Sequence, residues 1–164
     1  MVSQRAFAKI NIGLRVLRKR DDGYHDLETI FHRVDIADEL TARTAEGISL
    51  ECDDPSLDGG ENLVLLAAKA LAARFGVRSG ARLTLTKRIP IAAGLGGGSA
   101  DAAAALIILS RLWGLHPTPR ELAEVALSIG SDVPYFLGEG AAHGRSRGEH
   151  LDWFDLAIPR AIVV

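Results

Sequence analysis

The sequence lacks the residues that mark several common classes of protein. It has one cysteine in 164 residues, which excludes an internal disulfide and a cysteine-based metal site. No apolar run reaches the length of about 18 residues that a typical transmembrane helix needs. No apolar segment follows residues 1–5, as it would in a signal peptide. We therefore expect a cytoplasmic protein.

An excess of charge of either sign is also missing. The 19 Lys and Arg residues oppose 21 Asp and Glu residues, which gives a formal net charge of −2. The arginines are scattered, so no basic patch for nucleic acid or for an acidic membrane surface is predicted, and we expect neither partner. The hydrophobic fraction of 48% and the charged fraction of 24% are typical of one soluble domain with a sizeable core.

Alternating apolar and polar residues predict half-buried strands. Residues 6–17 place alanine, isoleucine, leucine and valine on one face, and they place Lys9 and Asn11 on the other. A turn around Asp22 and Gly23 follows this segment. Further strands are predicted at 29–36, 48–52 and 81–89.

Helix caps predict three helices. The first begins after the N-cap Asn62 and ends at Gly76, and the second begins after the N-cap Ser99 and ends near Trp113. The third runs over 118–129 and opens with a Thr-Pro-Arg-Glu capping box. Because strands come first and are then interleaved with helices, the order predicts an α+β fold rather than a doubly wound sheet.

The segment after residue 130 carries weaker signals. "SDVPYFL" is short and apolar, and "GEGAAHGRSRGE" has a turn-rich composition. "IPRAIVV" is typical of the opening of a buried strand, and a domain rarely ends on an unpaired apolar strand. We therefore expect the fold to continue beyond Val164.

The most distinctive segment is "RIPIAAGLGGGSADAAAAL", residues 88–106, where four glycines within five residues stand directly before a helix. Consecutive glycines let backbone N–H groups converge on one point, because no Cβ intervenes. The helix start adds its free N–H groups and its dipole, so the segment predicts a phosphate-binding loop. A tight strand-to-helix connection would also need glycine, but it accounts for two glycines rather than four.

Two common nucleotide-binding motifs do not fit this loop. No Lys-Ser or Lys-Thr pair follows the glycines, so the loop is not a Walker A motif. Ser99 occupies the position of the third glycine in the dinucleotide-binding fingerprint, which excludes that motif as well. The loop by itself predicts an anion ligand and no particular reaction.

Three motifs together resemble those of the GHMP kinase superfamily. "PIAAGLGGGSADAAAA" resembles its phosphate-binding motif, "AKIN" its N-terminal lysine motif, and "GSDVP" the segment of its catalytic aspartate. "DGYH" after "AKIN" is typical of the branch that acts on a cytidine-diphosphate-linked polyol. The resemblance implies that residues 1–164 form an N-terminal domain similar to domain 2 of ribosomal protein S5. A ferredoxin-like C-terminal domain would then be missing from this chain.

The resemblance also implies an ATP-dependent kinase, and it assigns roles to individual residues. Lys9 and Asp132 would be catalytic: the aspartate would accept or orient the hydroxyl proton, and the lysine would be its electrostatic partner. Asn11, Tyr24 and His25 would bind the substrate, with the tyrosine ring stacking on the cytosine and the histidine hydrogen-bonding to it. ATP, with Mg²⁺ bridging its phosphates, would bind to loop residues Pro90, Ile91, Ala92, Ala93, Gly94, Leu95, Gly96, Gly97, Gly98, Ser99 and Ala100.

Composition alone favours plainer roles for some of these residues. Asp132 would be a helix-cap or Asx-turn aspartate, and Lys9 a solvated lysine. Asp101 would lie in the first turn of its helix, where the dipole favours a carboxylate, and a magnesium contact there is the weaker alternative. The histidines show no metal-ligand spacing, so we assign no metal-binding residue.

Two rival functions stay open at this stage. One is a GHMP kinase that acts on a different alcohol, and the other is a non-catalytic S5-like module that binds a partner such as RNA. The sequence does not give the oligomeric state, and a homodimer stays open. Because members of the superfamily are longer, we expect a polypeptide that ends at Val164 to be weakly active or inactive.

Overall fold

The computed structural model describes residues 1–156, apart from Asp22, Tyr24 and Asp58. The described residues form one mixed sheet of six strands, three α-helices and two short 3-10 helices. This confirms the predicted α+β class. The strands are β1 (Val2–Lys19), β2 (His25–Ala45), β3 (Ile48–Cys52), β4 (Gly80–Thr86), β5 (Ala141–Ser146) and β6 (His150–Phe154). The α-helices are α1 (Leu63–Phe75), α2 (Gly97–Leu112) and α3 (Pro119–Ile129), and the 3-10 helices are Pro55–Leu57 and Val133–Leu137.

Strand β2 organises the sheet, because three other strands pair with it. β1 pairs antiparallel along most of one edge of β2. On the other edge, β4 pairs with residues 39–45 and β5 with residues 27–31. Among the described strands, none pairs with residues 32–38 of that edge. The sheet therefore has a notch between β4 and β5, and side chains of β2 in this notch bind the loops that carry the candidate site.

The predicted strand at 6–17 is confirmed and extends further at both ends, but its apolar face is only partly covered. Ala8 is fully buried, whereas Leu14 is 53% and Val16 61% exposed. The alternation specifies which side a residue faces, and it does not specify whether another element covers that side. A register shift between Phe7 and Lys9 also buries Lys9, which the alternation places on the polar face.

The strands predicted at 29–36, 48–52 and 81–89 lie in the predicted places, but two of them differ in length from the prediction. The strand predicted at 48–52 is confirmed as β3, and β2 is much longer than the predicted 29–36. β4 ends at Thr86, so the chain leaves the sheet before the glycine segment begins. The turn before β2 is confirmed at Gly23, which has a φ of 86°.

The turn-rich segment predicted at 138–149 is confirmed only in part: residues 147–149 form a turn, but residues 141–146 form β5. Gly144, which favours a turn by composition, lies inside this strand. A Cβ on Gly144 would lie 2.5 Å from Cε2 of Phe31 on β2. The glycine is therefore needed for cross-strand packing rather than for a turn. The strand predicted at 159–164 lies outside the described residues.

Two of the three predicted helix starts are confirmed in detail. The Asn62 side chain accepts a hydrogen bond from the N–H of Val64, and Gly76 ends α1 with a φ of 65°. Thr118 and Glu121 form the predicted capping box of α3. Within the described residues, no α-helix combines the length and apolar character that crossing a bilayer requires.

Helix α2 lies at the centre of the core. It contacts α1, α3, β1, β2 and the 3-10 helix Val133–Leu137. Its residues 102–106 are all buried, which is typical of a helix surrounded on every side. The alanines at 102–105 allow close approach of these neighbours, and larger side chains there would overpack the core. The first turn of this rigid helix carries the glycine segment.

Candidate active site

The glycine segment forms a loop between β4 and α2, and helix α2 begins earlier than predicted. Ser99 is not the N-cap, which makes that prediction wrong. Gly96 is the N-cap, with a φ of 71°, and α2 begins at Gly97. The left-handed conformation of Gly96 turns the chain into the helix without a side-chain cap. The first intrahelical bond runs from the N–H of Ala100 to the carbonyl of Gly96, so the N–H groups of residues 97–99 remain for a ligand.

Close packing leaves little room for a side chain at two of the glycines. A Cβ on Gly96 would lie 2.8 Å from Cζ of Phe136 and 3.1 Å from Cε of Lys9. A Cβ on Gly97 would lie 3.1 Å from Cγ2 of Ile89. The loop is therefore pressed against the core on one side, and its other side is open.

The open side of the loop borders a cleft of about 410 Å³. Residues 90–99 line it, which brings together all the predicted phosphate-loop residues except Ala100. Ala100 is buried in α2 instead. Leu57 of the 3-10 helix Pro55–Leu57 and Leu63 at the start of α1 add apolar surface to the cleft. A cleft that combines backbone N–H groups with apolar side chains suits a phosphorylated ligand that has a flat apolar group.

Lys9 joins the glycine loop to Asp132. Its backbone N–H donates to the carbonyl of Leu95 at 2.9 Å, and its Nζ donates to the carbonyl of Gly94 at 3.1 Å. The same Nζ donates to Oδ1 of Asn11 at 2.6 Å and lies 3.5 Å from Oδ2 of Asp132. The side chain of Lys9 is only 8% exposed. The structure therefore contradicts the alternative of a solvated lysine.

The packing around Asp132 fixes its position. It directly precedes the 3-10 helix Val133–Leu137, and Pro134 is the second residue of that helix. Tyr135 of that helix stacks on Phe31 of β2, with ring centroids 4.9 Å apart. Arg33, in the notch of β2, donates hydrogen bonds to carbonyls of the segment that follows Asp132. The Asp132 side chain remains 35% exposed, so its carboxylate is both anchored and accessible.

The predicted substrate-binding residues are distributed along the β1–β2 hairpin. Asn11 lies beside Lys9, and its Nδ2 donates to Oγ1 of Thr29 at 3.0 Å. His25 is exposed at the first position of β2, six residues before Phe31. At the rise of a strand this is roughly 20 Å from the Lys9 region, so the structure does not bring His25 next to Lys9. Tyr24 lies outside the described residues.

A second charged cluster lies beneath the glycine loop, and the sequence analysis missed two of its three members. Nζ of Lys87 lies 2.5 Å from Oδ2 of Asp38 and 2.7 Å from Oδ2 of Asp101. Burial raises the pKa of Asp101 to about 7, against the opposing effect of the Lys87 ammonium. Burial also opposes the charge of Lys87, but the two carboxylates outweigh it and raise the pKa of Lys87.

The placement of Asp101 also corrects a prediction. Because α2 begins at Gly97, Asp101 lies in the second turn and not in the first, and its partner is Lys87 rather than the helix dipole. The signal that could have found the cluster is Asp38, whose alternate neighbours Ile36 and Leu40 on the same face of the strand are apolar. A buried carboxylate needs a cation or several N–H donors.

Comparison with known proteins finds a match to one family. Residues 62–140 match the model of the GHMP kinases N-terminal domain. This region contains the glycine loop, α2 and Asp132. This part of the chain is therefore similar to a GHMP kinase N-terminal domain.

Two curated relatives share the name 4-diphosphocytidyl-2-C-methyl-D-erythritol kinase. The relative from Salinibacter ruber is 53% identical over 152 residues, which cover 92% of this chain and 54% of the relative. The relative from Chlorobium phaeobacteroides is 46% identical over 164 residues, which cover 99% of this chain and 57% of the relative. The chain thus spans about half the length of the curated relatives it matches.

Solved structures agree with this family. A crystal structure of 4-(cytidine 5'-diphospho)-2C-methyl-D-erythritol kinase matches this chain with a TM-score of 0.80 at 40% identity. The match covers 96% of this chain and 56% of the chain in that crystal structure. A mevalonate kinase structure has a TM-score of 0.73 at 13% identity, and it covers 94% of this chain and 56% of that one. The second likeness shows the shared fold alone.

Proposed function

We propose that the protein transfers the γ-phosphoryl group of ATP to the 2-hydroxyl of 4-diphosphocytidyl-2-C-methyl-D-erythritol. This reaction belongs to the non-mevalonate (MEP) route of isoprenoid biosynthesis. The observation that carries the proposal is the position of Lys9, whose ammonium contacts both the glycine loop and Asp132. This contact places a candidate proton acceptor beside a candidate phosphate site, as phosphoryl transfer to an alcohol requires.

The cleft supports the nucleotide part of the proposal. The N–H groups of residues 97–99 and the N-terminus of α2 would bind the phosphates of ATP. The apolar surface of Leu57 and Leu63 would receive the base. The hydroxyl of Ser99 in the cleft would help to hold Mg²⁺, which would neutralise part of the negative charge of the phosphates.

Asp132 and Lys9 support the transfer part of the proposal. Asp132 would accept the proton of the substrate hydroxyl. As the hydroxyl oxygen bonds to the γ-phosphorus, the bond between that phosphorus and the leaving ADP would break. Lys9 would offer a fixed positive charge where negative charge develops on the reacting oxygens. Because Lys9 is already held by Asn11 and Gly94, it needs no rearrangement during the reaction.

The residues that are predicted to bind the substrate are spread along the β1–β2 hairpin, which is consistent with a long substrate. His25 lies roughly 20 Å along the hairpin from the Lys9 region. We propose that His25 and Tyr24 bind the cytosine and that Asn11 contacts the polyol near the reacting hydroxyl. The relatives at 46–53% identity carry the name of this cytidyl kinase, which favours it over a GHMP kinase for another alcohol. A cytoplasmic location and the oligomeric state stay predictions.

An activity assay on the purified full-length protein tests the proposal. With ATP and 4-diphosphocytidyl-2-C-methyl-D-erythritol, we expect ADP release and a product heavier by one phosphoryl group. We expect Asp132→Asn to lower kcat by about a hundredfold or more, because it removes the proton acceptor. Its affinity for ATP should stay close to that of the unchanged protein, since Asp132 does not line the cleft.

Asp152→Asn serves as the matched control. This aspartate forms an exposed ion pair with Arg145 on β5 and β6, so the variant should keep full activity. A near-normal kcat of Asp132→Asn would remove that residue from its proposed role. Turnover of a different alcohol alone would favour another GHMP kinase, and RNA retention without ATP binding would favour a binding module.

A further inference from the structure

Beside the glycine loop, Asp38, Lys87 and Asp101 form a buried charged cluster, and Lys87 and Asp101 also reach the lining of the cleft. The proposed phosphoryl transfer does not use this cluster. We propose that these three are positioning residues that clamp both ends of the glycine loop and thereby set the affinity of the cleft for the nucleotide. This inference rests on the proposed function. It concerns the shape of the loop, whereas the proposed chemistry concerns Lys9 and Asp132.

Asp38 holds the end of the loop that follows β4. Its side chain is fully buried in the notch of β2. Its Oδ1 accepts hydrogen bonds from the N–H groups of Arg88 at 2.5 Å and Ile89 at 2.8 Å. These two residues open the loop, so one carboxylate fixes the direction in which the chain leaves the sheet. Hydrogen bonds from backbone N–H groups to a buried carboxylate are among the stronger ones in proteins.

Lys87 carries this connection to the other end of the loop. Its Nζ contacts the second oxygen of Asp38 and also contacts Asp101 in α2. The same Nζ lies 3.3 Å from the position that a Cβ on Gly97 would occupy. The ammonium therefore lies next to Gly97, the first residue of α2. Gly97 lines the cleft.

The cluster is costly to bury, which argues for a role beyond stability. Removing two carboxylates and one ammonium from water is offset only when their geometry is good, and apolar residues of similar size often serve stability equally well. Oδ1 of Asp101 is buried and has no hydrogen-bond partner among the described residues. The contact with Lys87 is therefore what holds this carboxylate, and it is a sensitive point for substitution.

Asp101→Ala gives a test in which two explanations predict opposite signs. If the cluster acts only through its charge, loss of a negative charge beside the phosphates should tighten ATP binding. If it clamps the loop, ATP binding should weaken by about fivefold or more, because a buried charged hydrogen bond is lost. The KM for ATP should rise in parallel, while kcat and the KM for the alcohol stay within about twofold.

Amide hydrogen exchange of the nucleotide-free protein gives a second readout. We expect faster exchange across residues 88–97 in Asp101→Ala and no change in the strands. Lys87→Arg keeps the positive charge between the two carboxylates in a larger, planar group, so its affinity for ATP should stay closer to that of the unchanged protein than the affinity of Asp101→Ala does. Glu124→Ala, which removes an exposed ion pair with Arg120 on α3, is the matched control and should change neither readout.

Each outcome separates this inference from the proposed function. Wild-type ATP affinity and unchanged exchange in a folded Asp101→Ala protein would overturn the clamp and leave the kinase proposal intact. Absence of ATP binding by the unchanged protein would overturn the proposed function, while the exchange experiment would still decide whether the loop is clamped. If Asp101→Ala does not fold, Asp101→Asn retains the shape of the side chain and is measured in the same way, with a smaller effect of the same sign.

Discussion

Gly96 shows how a single position can limit the whole site. We predict that Gly96→Ala lowers kcat by about tenfold or more, because the new methyl group would displace Lys9 and small misplacements of reacting groups are costly. The left-handed φ of 71° adds about 1–2 kcal/mol of strain to the folded state. Steady-state kinetics and chemical denaturation measure the two effects separately.

Gly76→Ala is the control for the strain alone. Gly76 also has a left-handed φ, and a Cβ on it would meet no atom within 4 Å. It ends α1 and does not line the cleft. The variant should lose a similar amount of stability and retain its kcat. Equal kinetics for both variants would show that the contact between Gly96 and Lys9 does not matter for turnover.

The residue scale also shows what sequence reasoning reaches. The motifs predicted Lys9 and Asp132 as partners, and the structure places their charged groups 3.5 Å apart. Lys87 was missed because it follows an ordinary strand pattern, and Asp38 because one polar residue on an apolar face does not identify its partner. Their pairing depends on the notch in the sheet and joins residues 49 positions apart, so the pairing itself leaves no local signal in the sequence.

At the scale of elements, two helices offer a matched pair of caps. The Asn62 side chain caps α1 at the cleft, and the Thr118 side chain caps α3 in an exposed capping box. We predict that Asn62→Ala and Thr118→Ala each lower the free energy of unfolding by about 1 kcal/mol. Chemical denaturation measures this loss.

The two cap variants should differ in nucleotide binding. Only Asn62 lines the cleft, so a frayed α1 should raise the dissociation constant for ATP by about threefold or more. Titration calorimetry with ATP distinguishes the variants. An effect of Thr118→Ala as large as that of Asn62→Ala would mean that global stability, and not the cleft wall, controls affinity.

Elements with strong local signals were predicted well, and elements set by tertiary packing were not. The caps of α1 and α3 lie entirely within a few residues, so the sequence suffices to place them. The start of α2 depends on the left-handed conformation of Gly96. The sequence instead favoured Ser99 as the N-cap, because serine is a common capping residue. β5 was missed because its glycine serves the ring of Phe31, a residue far away in the sequence.

For the molecule as a whole, Asp101 links stability to pH. Its pKa rises from 3.8 to about 7 in the folded protein. The folded state therefore binds a proton that the unfolded state has released between about pH 4 and pH 7. The stability that this group contributes is present below that range and is lost as the pH rises to about 7. Carboxyls whose pKa is lowered, such as Asp26 and Glu149, act at lower pH and in the opposite direction.

We predict that the free energy of unfolding of the unchanged protein falls relative to that of Asp101→Asn between about pH 4 and pH 7. Asparagine carries no titrating proton, and the histidines common to both proteins cancel in the difference. Urea denaturation at several pH values gives the two curves. Parallel curves over this range would show that Asp101 does not retain a proton on folding.

The notch in the sheet divides the site into two separately supported halves. The proposed nucleotide cleft lies between α1, the loop after β4 and the start of α2, whereas the 3-10 helix after Asp132 is held by the stacking of Tyr135 on Phe31 and by the hydrogen bonds of Arg33. Damage to the second half can leave the first half in place. A thermal-shift screen for nucleotide-like inhibitors would therefore count molecules that have lost their proton acceptor as intact targets. Only a screen that follows product formation would sample both halves of the site.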